Sequence, residues 1–242
     1  EKVFDNLSVP DEFIPELAET CKKNNILFMA TPFSVDDAKK IEPFTSFNKI
    51  ASFEINHVGL LEYFKKIEKP IILSTGASTY QEIDNAINFL QKEQSKKIGL
   101  MQCTSTYPCP ISALNLGVIP KMKEKYHVPV GFSDHSIDPT IGPVTAVGLG
   151  ATFIEKHFTL DKSLEGPDHS FALNPIELKN MIKAIRDTEK AIGTSEKIIL
   201  PEEEETRIFA KRSLQAITDI KKNDILQCGV NFDILRPGNR IR

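Results

Sequence analysis

The chain has 242 residues, 40% hydrophobic and 26% charged, which suits a globular protein with a sizeable core. Its 30 basic and 33 acidic residues leave a net charge of −3, so no basic field calls for nucleic acid or an anionic membrane surface. No apolar run approaches the roughly 20 residues of a membrane helix, EKVFDNLSVP does not read as a signal peptide, and the four cysteines form no CxxC pair; the expectation is a cytoplasmic protein with reduced thiols.

Residues 1–25 hold a helical stretch, DEFIPELAETCKKNN. Six apolar, β-rich runs follow: ILFMAT (26–31), NKIASFE (48–54), PIILST (70–75), IGLMQCT (98–104), PVGFSDH (129–135) and TFIEKHF (152–158). Their starts lie 22 to 31 residues apart. Amphipathic segments separate them, such as 79–94 with Ile83, Ala86, Ile87 and Leu90 at helical spacing. Near-continuously apolar strands alternating with helices predict a parallel sheet covered by helices. No G-x-G-x-x-G follows a strand, which disfavours a dinucleotide-binding Rossmann domain and favours a TIM (β/α)8-type barrel. Such a barrel has eight strands and only about six are predicted here, so the first two βα units are expected to be lacking or the sheet to be open.

Past the predicted helix 175–193 the pattern changes. Residues 194–207 read as a polar linker whose glutamate run starts a solvated helix, and 208–242 as a small, partial β module. The predicted domains are therefore 1–193, the linker 194–207, and 208–242.

Each predicted strand ends in a polar group, and parallel α/β folds build their sites at that end. Strand alternation puts Gly131, Ser133 and His135 on one face with Asp134 on the other. It likewise puts Phe153, Glu155 and His157 together, opposite Lys156. On neighbouring strands about 4.8 Å apart, His135 and His157 can reach one divalent cation and leave its other positions open. Two hydrogen-bonded strand caps are the alternative reading. Thr31, Ser52, Ser74 and Ser133 place hydroxyls around the same mouth. Lys49 adds a positive charge if its strand is kinked, and together these are the equipment for holding a phosphate without a P-loop. CTSTYPCP (103–110) offers Ser105 and Tyr107, and the loop TLDKSLEGPDHS (159–170) offers Asp168, as sugar contacts or as ordinary turn chemistry.

The ordered set FMATPFS, KIASFE, PIILSTG, CTSTYP, GFSDHS, TFIEKHFTLD, GPDHSFAL and RPGN resembles the N-acetylneuraminate (sialic acid) synthase family. Phe53 and Ser105, in KIASFE and CTS, are closest to its pseudaminate-, legionaminate- and spore-coat-polysaccharide-type members. The resemblance runs from about residue 8 to residue 239. It implies a TIM barrel followed by a β-clip (SAF, antifreeze-like) domain in a domain-swapped homodimer. The implied reaction joins phosphoenolpyruvate to an open-chain acetamido or diacetamido sugar, giving a nine-carbon nonulosonic acid and phosphate. It further implies a divalent metal, Mn2+ before Mg2+ or Co2+, on His135 and His157, with Glu54 as a proton shuttle. Thr31, Lys49, Ser52, Ser74, Ser105 and Ser133 would hold phosphoenolpyruvate, and Tyr107 and Asp168 the sugar together with Arg236 from the partner subunit. A metal-dependent sugar aldolase or isomerase on the same barrel, or a truncated non-catalytic sugar binder, are the alternatives.

Overall fold

The structure, a computed structural model, describes residues 9–91 and 97–236, and the chain divides into two compact units, Glu1–Gly193 and Thr194–Arg242. In the larger unit, helices α1 (Phe13–Lys23) and α2 (Val35–Ile41) precede β1 (Asn48–Ile50). Then α3 (Val58–Lys65), β2 (Ile71–Ser74), α4 (Tyr80–Gln91), β3 (Ile98–Cys103), α5 (Val118–Tyr126), β4 (Val130–Asp134), α6 (Ile141–Gly148) and β5 (Ile154–Lys156) alternate strictly, and α7 (Pro175–Ile192) closes the unit. The five strands form one parallel sheet in chain order, with Ile50 opposite Leu73, Ser74 opposite Met101, Cys103 opposite Ser133, and Ser133 opposite Glu155.

One strand parity faces the helices. Ile50, Ile71, Leu73, Ile98, Leu100, Val130 and Phe132 pack in a single core with Leu60, Leu61 and Phe64 of α3, with Ile83, Ala86, Ile87 and Leu90 of α4, and with Ile119 and Met122 of α5. These are the four α4 residues whose spacing predicts an amphipathic helix, and burying one such face is the main stabilising interaction a short helix has. The opposite parity faces the concave side. There Phe153 lies over the glycines of two neighbouring strands: a Cβ on Gly131 would come within 2.2 Å of its ring, and one on Gly99 within 3.1 Å. These glycines are the reason a large ring fits inside the curve.

The sheet is strongly curled. In a flat sheet, four strand spacings would separate β1 from β5 by about 19 Å. Yet Nζ of Lys49 on β1 is 3.4 Å from Oε2 of Glu155 on β5, across the concave side.

Two expectations need correction. ILFMAT forms no strand: residues 26–31 have no regular structure and pair with nothing in the sheet, and Ile26, Leu27 and Met29 are exposed. A barrel strand is held by neighbours on both sides, and among the described residues no strand lies beyond this segment, so only five of the six predicted strands form. The second correction concerns NKIASFE, which is a strand only to Ile50. Ser52–Glu54 is a 3-10 turn, and this break in the alternation allows Lys49 and Ser52 to face the same side.

In the smaller unit, residues 194–207 include a turn at Pro201–Glu203 and the start of helix α8 (Glu204–Ala210). Strands β6 (Ser213–Ala216) and β7 (Phe232–Leu235) then pair antiparallel, Ser213 opposite Leu235, while KKNDIL (221–226) holds one turn at Lys222 and Asn223 and no strand. Arg236 follows β7 and is exposed; the rest of RPGNR, like residues 92–94 of the predicted helix 79–94, lies outside the described residues. Among the described residues no helix is long and apolar enough to cross a membrane.

Candidate functional site

The C-terminal ends of the strands gather most of the predicted residues. His135 follows β4, is buried, and places Nδ1 2.8 Å from the carbonyl oxygen of Thr104. A carbonyl only accepts, so Nδ1 carries the proton and Nε2 keeps its lone pair. Nε2 lies 3.3 Å from the Ser133 hydroxyl. Burial lowers the His135 pKa below 6.5, outweighing the Thr104 hydrogen bond that raises it, and so favours the neutral ring. The backbone amide of Cys109 donates to the His135 carbonyl at 2.8 Å, so the β3–α5 loop grips this histidine at ring and backbone.

His157 follows β5. Its carbonyl accepts from the amide of Leu173, and Thr159 donates to the Leu173 carbonyl, so the loop 159–170 is closed at its base. Within that loop Thr159 Oγ1 meets His169 Nδ1 at 2.7 Å, and Lys162 reaches Glu177 of α7 at 2.7 Å. Asn174 caps α7, accepting from the amides of Ile176 and Glu177, while the Glu177 carboxylate accepts from the Asn174 amide. The loop presents Asp168 with Oδ2 3.6 Å from His157 Nε2. The two imidazole rings are 5.5 Å apart, centre to centre. Tyr107 packs on His135 at 4.3 Å and Phe171 on His157 at 5.1 Å, so aromatic rings wall the pair.

A chain of polar contacts runs from this pair across the curve. Ser133 donates to Oε1 of Glu155 at 2.7 Å, Oε2 of Glu155 faces Lys49 Nζ, and Lys49 donates to Ser74 at 2.7 Å. Beside it the backbone N–H of Gly76 donates to Ser52 Oγ at 3.0 Å, and Ser52 Oγ lies 3.1 Å from Cys103 Sγ. Ser105 Oγ is buried and makes no full hydrogen bond, though it interacts with the Tyr107 side chain. A Cβ on Gly76 would stand 2.3 Å from Ser105 Oγ and 2.9 Å from Ser52 Oγ, so the glycine keeps a small hydroxyl-lined cradle open. Burial pushes the Cys103 thiol upward, more than its Ser52 contact lowers it.

Strand parity is borne out at Lys156, which lies behind the sheet. Its Nζ pairs with Asp134 at 2.7 Å, with side chains 3% and 0% exposed, and also donates to the carbonyls of Ser136 and Asp138. A lysine held there is not available to form a Schiff base beside His157.

Two other predicted residues are joined to the cluster by no hydrogen bond or ion pair among the described residues. Thr31 is half-buried in the unpaired segment, without a hydrogen bond to the cluster among the described residues. Glu54 is half-buried on its 3-10 turn, and among the described residues no hydrogen bond or ion pair joins its carboxylate to the histidines. Glu155 is the acid at the centre of the network, and it was absent from the predicted site residues. Its period-two relation to His157 was the signal that could have found it.

The donor set suits a divalent ion. An imidazole whose second nitrogen donates to a carbonyl is oriented as metal-bound histidines are. Among the described residues no group of three or more His, Cys, Asp or Glu side chains forms a ready ligand set, so such an ion would draw its remaining ligands from substrate or water.

The sequence profile of the NeuB family matches residues 1–197. The spore coat polysaccharide biosynthesis protein SpsE of Bacillus subtilis is 38% identical over 250 residues, covering 97% of this chain and 67% of that protein. Its crystal structure superposes with a TM-score of 0.72 at 37% identity, over 94% of this chain and 68% of that one. Pseudaminic acid synthase of Campylobacter jejuni is 38% identical over 237 residues, 98% of this chain and 68% of that protein. N-acetylneuraminic acid (sialic acid) synthetase of Leptospira borgpetersenii, solved in complex with citrate, gives a TM-score of 0.77 at 34% identity, over 82% of this chain and 70% of that one. The curled parallel sheet with its covering helices is thus part of a TIM-barrel-type α/β fold.

Proposed function

Because the chain belongs to the NeuB family, we propose that it condenses phosphoenolpyruvate with an open-chain N-acetylated amino sugar to give a nine-carbon nonulosonic acid and phosphate. The synthase names of its relatives support this class of reaction. The observation that carries it is the convergence of an imidazole pair with a lysine- and hydroxyl-lined cradle at one end of one sheet.

In this reading Lys49, Ser74 and Ser133, with Ser52 and Ser105 beside them, hold the phosphate and carboxylate of phosphoenolpyruvate. The buried Ser105 hydroxyl, which meets the Tyr107 side chain without forming a full hydrogen bond, is a group such a ligand would satisfy. His135 and His157 would hold a divalent ion, Mn2+ before Mg2+ or Co2+, which supplies Lewis-acid polarisation of the acceptor aldehyde. Tyr107 and Asp168 border the acceptor's side of the cluster. The new bond joins C3 of phosphoenolpyruvate to the aldehyde carbon. Water adds at C2, and cleavage of the phosphate ester leaves the 2-keto acid. Glu54 is proposed to move the proton of that water. Residues 208–242 are proposed to begin an SAF domain that brings Arg236 to the site of a partner copy, in a cytoplasmic homodimer.

The test is phosphate release from phosphoenolpyruvate with N-acetylmannosamine or diacetamido-hexoses, with and without EDTA. Release matched one for one by loss of acceptor, and abolished by EDTA, is expected. Release that needs no acceptor, or none with any acceptor, contradicts the proposal.

A further inference from the structure

Glu155 puts a carboxylate where the proposed function needs to receive anions. It accepts a hydrogen bond from Ser133 and faces the ammonium of Lys49, and so engages two of the groups assigned to phosphoenolpyruvate. Lys49 has a 5% exposed side chain, whereas that of Glu155 is 40% exposed, so the acid is the partner with open space on its solvent side. Ser74 remains as a second partner for Lys49. A buried ammonium without a counter-charge is strongly disfavoured, which gives the ligand-free site a reason to carry its own anion.

We infer that Glu155 is a built-in counter-anion: it occupies Lys49 and Ser133 in the free protein and yields both to the anionic groups of the incoming substrate. This rests on the reading of the Lys49–Ser133 cradle as the phosphoenolpyruvate site. Its consequence is opposite to that of an ordinary binding residue. Removing the charge of Glu155 should tighten anion binding, because a competing like charge is gone from within contact distance.

Calorimetric titration of the whole chain with phosphoenolpyruvate and with inorganic phosphate tests this. In Glu155→Gln the amide oxygen can still accept from Ser133, so the change is chiefly one of charge. Both anions should bind on the order of tenfold more tightly to Glu155→Gln than to the parent. Glu155→Ala should shift affinity in the same direction, and it carries the test if the glutamine variant does not fold. Binding of uncharged N-acetylmannosamine should move less than about twofold, which separates a charge effect from a general change in the site. Unchanged or weaker anion binding in both variants overturns the inference. Lys49→Met separates the two readings: weakened anion binding there without tightening at Glu155 sinks the counter-anion alone. Unaltered binding in Lys49→Met would sink the anion cradle and the inference together.

Discussion

His135 shows how one side chain can be read for chemistry and stability together. Its Nδ1–H is committed to the Thr104 carbonyl, so the remaining lone pair is aimed by the fold. Replacing His135 or His157 by alanine is expected to weaken Mn2+ binding more than about 100-fold in calorimetry, since even supporting partners of a metal ligand are worth 10 to 100-fold. Burial also sets a pH dependence of stability. With the folded pKa below 6.5, the unfolded chain takes the proton first. The His135 contribution is therefore complete above pH 6.5 and lost as pH falls toward the lowered folded value. Urea unfolding in EDTA should show a shallower loss of stability below about pH 6.5 for His135→Gln than for the parent. The cysteines make a second residue-scale expectation. Cys228 is exposed, whereas Cys103 and Cys109 are buried with their thiols pushed up by burial. A disulfide reagent should label Cys228 quickly in the native protein, and Cys103 and Cys109 only after unfolding.

Neighbouring residues of one strand serve two jobs by alternation. Ser133 and His135 face the concave side while Asp134, between them, pairs with Lys156 behind the sheet, itself between Glu155 and His157. The pair ties the two histidine-bearing strand ends together from the back. Lys156→Met leaves Asp134 buried and unpaired, with an expected cost of about 3–5 kcal/mol in denaturant unfolding. The double variant Asp134→Leu/Lys156→Met should recover much of that loss; a double variant at least as unstable as the sum of the singles would contradict the pairing. The same alternation explains what was legible. Ile83 to Leu90 on α4 and the strand-end positions of Ser133, His135 and His157 follow from period and register alone. The β-rich composition of NKIASFE predicts a full strand throughout. What breaks it is the 3-10 turn at Ser52–Glu54, which periodicity does not encode.

At the scale of the molecule, ILFMAT is the instructive miss. Its composition suits a strand, but a strand exists only through its neighbours, and Ile26 and Leu27 remain exposed without a ladder partner. The curl of the sheet agrees with the barrel that the strand–helix alternation predicts, and the contact between Lys49 and Glu155 brings β1 and β5 face to face. That curl turns a row of strand ends into a site, and it places Glu155 between Ser133 and Lys49. Among the described residues the sheet of the smaller unit is one four-residue antiparallel pairing, with an isolated bridge between Cys228 and Phe232. Two strands alone are marginal, so amides of β6 and β7 should exchange with solvent at least about 100-fold faster than those of β2 to β4. In the proposed function His135 and His157 form a metal centre beside an anion cradle. Anomalous diffraction from crystals grown with Mn2+ and phosphoenolpyruvate tests it most directly. One strong anomalous peak is expected within coordinating distance of both imidazoles, with the phosphate against Lys49. A peak elsewhere, or none at the histidine pair at saturating Mn2+, would contradict it.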